Sequence, residues 1–160
     1  MVQNSRDTKD QQGLPASPGR LPGELGSSAA ARNGRRRVLV AEDDKGMREL
    51  LIKVLGADGY AAVECRDGIE LFGHLEAFVG RRASLDFDVI ISDILMPGPT
   101  GLEILEALHD RMGFPPMILI TAFGDKGTHA RAEKAGVAAV LDKPFGIDEL
   151  LVKLHDIAPP

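Results

Sequence analysis

Four short apolar runs each meet a carboxylate, a hydroxyl or an ammonium. Val38–Ala41 runs into Glu42-Asp43-Asp44, Val89–Ser92 into Asp93, Met117–Ile120 into Thr121, and Ala138–Leu141 leads to Lys143-Pro144. Runs so short and so uniformly apolar read as strands covered on both faces. Amphipathic stretches alternate with them, which predicts repeated βα units and a mostly parallel sheet. An open sheet of that kind gathers ligands at the carboxyl ends of its strands, so residues about fifty positions apart can share one pocket.

Five strands and five helices are predicted. Met47, Leu50, Leu51, Val54 and Leu55 recur at helical spacing after the first run, with Gly56 or Gly59 as the stop. Tyr60–Glu64 reads as a short strand, and a helix beginning its stripe with Leu71, Phe72 and Leu75 follows. The third strand, Phe87–Ser92, is almost unbroken in its apolarity and is expected at the sheet centre. Leu102, Leu105, Leu108 and Met112 stripe the third helix, for which Thr100 and Glu103 form a capping-box pattern. A weaker helix is expected over Lys126–Ala135, and a last one carries Ile147, Leu150, Leu151, Leu154 and Ile157.

Residues 1–36 have a different character: three prolines, five glycines, no aromatic residue, six basic and three acidic side chains. Such a stretch cannot bury enough apolar area to offset its ordering entropy, so it is expected to be a disordered leader. The ordered unit is then 37–158, with 159–160 as a tail. Residues 37–160 hold 13 basic and 21 acidic side chains, a net charge near −8. That is a poor match to nucleic acid, where lysine and arginine meet phosphates, and a good one to a cation. Cys65 is the single cysteine, so no internal disulfide is available. No apolar signal core and no run of about 18 apolar residues is present, so a cytoplasmic protein with no membrane contact is expected.

Glu42, Asp43 and Asp93 would repel one another at the strand ends unless a cation intervened. Mg²⁺, a hard ion that takes carboxylate oxygens and retains waters, resolves the conflict most simply. Lys143 adds a point charge and Thr121 a hydroxyl. A carboxylate nucleophile, Mg²⁺, an ammonium and a hydroxyl are the parts that position and neutralise a transferring phosphoryl group, and an aspartyl phosphate is the natural product. The four histidines, His74, His109, His129 and His155, are scattered on predicted helices and read as surface residues rather than ligands.

These segments, Val38–Asp44 with Arg48, Ser92-Asp93-Ile94-Leu95-Met96-Pro97 with Gly101, Thr121-Ala122 and Lys143-Pro144-Phe145, resemble the receiver domain of bacterial two-component response regulators over about three quarters of the chain. The resemblance implies a flavodoxin-like (βα)5 fold, doubly wound around a five-stranded parallel sheet. It implies that Asp93 accepts phosphate from a histidine kinase or histidine phosphotransfer protein. Asp43, Asp93 and the Leu95 backbone carbonyl would hold Mg²⁺, with Glu42 acting through water. Lys143 would pair with phosphoryl oxygens, Thr121 would move to the new phosphate, and the Lys143–Pro144 bond would be cis. Such a domain is a signalling phosphoacceptor rather than an enzyme, limited to self-phosphotransfer and slow autodephosphorylation.

The chain departs from that pattern in places. Glu42 stands where many receivers have aspartate, and Val140 stands where the family usually places an aromatic residue that swings with the threonine. Aromatic switching is therefore not expected. Leu95 and Phe123 flank the path of an attacking water in this family, and their apolar side chains are expected to prolong the phosphoryl lifetime. A Mg²⁺-dependent phosphatase with an aspartyl nucleophile is the alternative enzyme, but such hydrolases carry a second aspartate two residues on, where this chain has Leu95. A pseudo-receiver serving only as a binding module is the other alternative. The presence of Glu42, Asp43, Asp93, Thr121 and Lys143 together weighs against it.

Overall fold

The apolar runs form strands because each offers β-branched or leucine side chains to both sides of a sheet. The computed structural model describes residues 34–81 and 85–160. All but the last three residues of the expected disordered leader lie outside them. The described elements alternate without exception: β1 (Arg37–Ala41), α1 (Lys45–Ala57), β2 (Ala61–Cys65), α2 (Gly68–Arg81), β3 (Val89–Asp93), α3 (Gly101–Leu108), β4 (Met117–Thr121), α4 (Lys126–Lys134), β5 (Ala139–Asp142) and α5 (Ile147–Ile157).

All strand pairs are parallel, in the order β2-β1-β3-β4-β5. The expected flavodoxin-like fold is thus the observed one, with β3 at the centre. Alternate strand residues feed two cores. Val38, Val40, Val89, Ile91, Ile118 and Ile120 pack with Leu51 and Leu55 of α1 and Leu150 and Leu154 of α5. On the other face, Leu39, Ile90 and Leu119 pack with Leu71, Leu75, Leu102, Leu105 and Ala132 from α2, α3 and α4. The chain turns one way from β1 to β2 and the other way from β1 to β3, which leaves a crevice at the carboxyl ends of β1 and β3.

Three sequence expectations shift. The third strand starts at Val89, because the Asp88 carboxylate accepts the Arg37 backbone N–H (2.7 Å) and pairs with Arg36 (2.9 Å), while Phe87 lies beneath the Arg37 guanidinium at 4.7 Å. These contacts tie two of the arginines that close the leader to the start of β3. The third helix ends at Leu108, so Met112, placed on its stripe, is instead 97% exposed in the following turn, where Gly113 adopts φ 85°. Leu50, expected on the buried stripe of α1, is 44% exposed. The capping box is formed as the spacing indicates, with Thr100 accepting from the Glu103 N–H and Glu103 accepting from the Thr100 N–H. No described helix is long and apolar enough to cross a membrane.

Candidate functional site

Strand register brings the polar ends together. Ala41 pairs with Ser92, so Glu42 follows on the level of Asp93; Asp93 pairs with Ile120, which puts Thr121 one step beyond; Thr121 pairs with Asp142, immediately before Lys143. The backbone N–H of Lys143 donates to the Thr121 carbonyl (2.7 Å), and the Lys143–Pro144 bond is cis, as the resemblance implies.

Lys143 joins the two buried acids. Its ammonium donates to Glu42 Oε2 (2.9 Å) and to Asp93 Oδ2 (2.5 Å). The remaining oxygens take backbone donors: Glu42 Oε1 from the Asp44 N–H (3.1 Å) and Asp93 Oδ1 from the Leu95 N–H (2.8 Å). Burial pushes the Glu42 carboxyl above its ordinary range and the nearby Asp93 charge adds to this, while Lys143 and the Asp44 N–H hold it back. Burial acts to lower Lys143, but its hydrogen bonds to Asp93 and Glu42 outweigh that and keep the ammonium above its ordinary value.

Asp43 differs from its neighbours. It is exposed, and among the described residues its carboxylate takes no hydrogen bond. Glu42, Asp43 and Asp93 each offer an oxygen within 4.8 Å of the others. Such a hard-oxygen set, with one carboxylate uncommitted, fits Mg²⁺. The Leu95 peptide is held beside it through the N–H bond to Asp93. Thr121 is buried, and its Oγ1 accepts from the Phe123 N–H (3.1 Å), so its hydroxyl is engaged within its own loop. Leu95 is half exposed and Phe123 is 72% exposed. Val140 is partly buried and packs against the core on the α2–α4 face.

Two residues named only within the resemblance, Arg48 and Gly101, prove to be supports of this site. Arg48 was legible only as part of a motif, yet its guanidinium lies buried beneath the Glu42-Asp43 turn. Gly101, at the start of α3, touches the backbone of the phosphoacceptor candidate: a Cβ there would lie 2.5 Å from Ser92 Oγ and 2.6 Å from the Asp93 carbonyl oxygen. Gly101→Ala is therefore expected to destabilise the fold by about 1–3 kcal/mol, as overpacking does. Urea denaturation checks this, and an unchanged midpoint would show that α3 can shift freely. The thiol of Cys65, at the end of β2, is buried, and burial pushes its pKa up to about 12, which makes it an inert core group.

The histidines are all engaged. His129 meets Asp142 (2.9 Å), His155 meets Asp58 (2.6 Å), His109 lies 3.0 Å from Asp110, and His74 packs edge-on to Phe87. None belongs to the acidic cluster.

Comparison with known proteins places residues 38–155 under the family model described as "Response regulator receiver domain". The chain is 32% identical over 118 residues to the transcriptional regulatory protein FixJ of Bradyrhizobium diazoefficiens, covering 74% of this chain and 54% of that protein. It is 31% identical over 119 residues to the response regulator MprA of Mycobacterium ulcerans, covering 74% and 48%. The chain thus spans about half the length of the curated relatives it matches. Among solved structures it is similar to the chemotaxis protein CheY4 of Vibrio cholerae (TM-score 0.64, 29% identity, 77% of this chain and 98% of that one). It is also similar to the non-phosphorylated HemR receiver domain of Leptospira biflexa (TM-score 0.65, 26% identity, 77% and 94%).

Proposed function

Because this chain belongs to the response regulator receiver domain family of two-component signalling, we propose that it takes a phosphoryl group onto Asp93 from a phosphohistidine of a kinase or phosphotransfer protein and changes its partner binding as a result. An Asp93 oxygen attacks phosphorus, the P–N bond breaks, and its electron pair returns to the donor imidazole, which takes a proton from solvent. Lys143 is already on Asp93 and moves to the incoming phosphoryl oxygens. Thr121 leaves its bond with Phe123 and donates to the phosphate, drawing the β4–α4 loop inward. With Val140 in place of an aromatic residue, that loop carries the change without a swinging ring.

The observation that carries this reading is the ammonium of Lys143 bridging two buried carboxylates beside an exposed third. Asp43, Asp93 and the Leu95 carbonyl would hold Mg²⁺, with Glu42 acting through water. When bound, Mg²⁺ would supply charge neutralisation of the acids and of the transferring group. The receiver unit is taken as 37–158, and the reading assigns it no enzyme activity on exogenous substrates, a cytoplasmic setting and no nucleic-acid contact of its own. The transcriptional role in FixJ's name belongs to that protein. In a longer protein built in the same way, a further segment would carry it.

The test is direct. Incubation with Mg²⁺ and acetyl phosphate, followed by intact mass measurement, is expected to show one added phosphoryl group, with acetate as leaving group. EDTA should abolish the gain. With Leu95 and Phe123 at the two positions that border the path of the attacking water in this family, the label should persist for minutes once the donor is removed. A protein that gains no mass with Mg²⁺, or gains it equally in EDTA, would overturn the proposal. Continuous release of phosphate from simple phosphomonoesters would favour the phosphatase instead.

A further inference from the structure

Two successive acids in one turn can face one crevice only if the backbone between them is fixed, and the structure fixes it from below. Arg48, on α1, is 7% exposed. Its Nη1 donates to the carbonyl oxygens of Glu42 (2.8 Å) and Asp43 (3.3 Å), and its Nε donates to Glu64 Oε2 on β2 (3.0 Å). The Glu42 N–H meanwhile donates to the Cys65 carbonyl, also on β2 (3.2 Å). The edge strand therefore holds the acidic turn twice, once directly and once through the guanidinium. A planar fork suits this task, because it keeps several acceptors at set angles where an ammonium would act as a single point charge.

We propose that Arg48 is a positioning residue for the metal site: by clamping the Glu42 and Asp43 carbonyls, with Glu64 orienting its guanidinium, it sets the affinity for Mg²⁺. The inference rests on the receiver reading above and names a residue outside the acidic cluster itself. Electrostatics alone gives the opposite sign. Arg48 is a cation near a site for a cation, so its removal should strengthen Mg²⁺ binding by Coulomb's law. Loss of the clamp should weaken it, since groups that orient metal ligands typically change affinity by about 10–100-fold when removed.

Isothermal titration of the metal-free full chain with MgCl₂ separates the two. Arg48→Gln should bind Mg²⁺ about 10-fold more weakly than the parent. Arg48→Lys, which keeps the charge and loses the fork, should also bind more weakly. With acetyl phosphate, both variants should need more Mg²⁺ for half-maximal phosphorylation and should approach the parental rate when Mg²⁺ saturates, a split that general destabilisation does not produce. Thermal unfolding in EDTA establishes which variants are folded; if Arg48→Gln is not, Arg48→Lys decides. Unchanged or tighter Mg²⁺ binding in the folded variant overturns this inference alone. A parent that binds no Mg²⁺ overturns it together with the receiver reading.

Discussion

Asp93→Ala is expected to abolish the phosphoryl mass gain from acetyl phosphate while leaving the fold intact. Removal of a nucleophile costs at least about a thousandfold in rate. No neighbour is placed to replace it. Glu42 is 1% exposed and both its oxygens are engaged, one by Lys143 and one by the Asp44 N–H. Asp43 is exposed at the rim and lacks the ammonium contact that Asp93 has. If any label remains, peptide mapping should find it on Asp43. An equal mass gain in the variant would mean that another side chain is the acceptor and would remove Asp93 from the centre of the reading. The fold should tolerate the change, because the alanine no longer needs the Lys143 ammonium, which keeps its bond to Glu42.

The parts of this site that were legible in the sequence are those the backbone dictates. A strand buried on both faces has to be apolar, so the first polar residue after each run marks its carboxyl end, and parallel register then brings those ends together. Glu42, Asp93 and Thr121 were found in this way, and Lys143 lies one residue further on, after Asp142. The Thr100–Glu103 capping box was legible for a similar reason, since its partners are three residues apart and depend on nothing distant. What escaped depends on partners far along the chain. The start of β3 was set by Arg36 and Arg37 reaching Asp88, about fifty residues away. Met112 kept the helical period after the helix had ended, because apolar spacing cannot register a turn closed by Gly113. Arg48 could be read only as part of the family motif, and only folding revealed that its guanidinium lies under the acidic turn. The division of labour between Glu42 and Asp43 was also hidden: adjacent in sequence, one is buried with both carboxylate oxygens engaged, and the other is exposed with a carboxylate that takes no hydrogen bond among the described residues.

Lys143→Met should slow phosphorylation from acetyl phosphate by about 10²–10³-fold, the usual effect of losing one preorganised charge at a site where charge develops. Its effect on metal-free stability should depend on pH. The ammonium's folded pKa is raised, so its contribution is fully present below its ordinary value of 10.5 and is lost only as pH rises through the higher folded value. Across neutral pH the parent therefore has all of it. The variant leaves Glu42 and Asp93 facing each other without their shared cation, at a cost of about 1–3 kcal/mol at pH 7, below the range for fully buried pairs because the tip of Lys143 is partly exposed. Glu42 already titrates above its ordinary value of 4.5, and a buried carboxyl of that kind loses stability as pH rises through its folded value, because the unfolded chain gives up the proton first. Without Lys143 to hold it back, that value moves up further. The deficit of the variant should hence be largest at pH 7 and shrink towards pH 5, as Glu42 regains its proton more readily than it does in the parent. Mg²⁺ at pH 7 should restore more stability to the variant than it adds to the parent, since it supplies the cation that the parent already has. Chemical denaturation at the two pH values, with and without Mg²⁺, measures all of this; a deficit equal at both pH values would mean that the Glu42–Lys143–Asp93 bridge contributes little, and the unequal burial of the three acids would then need another cause.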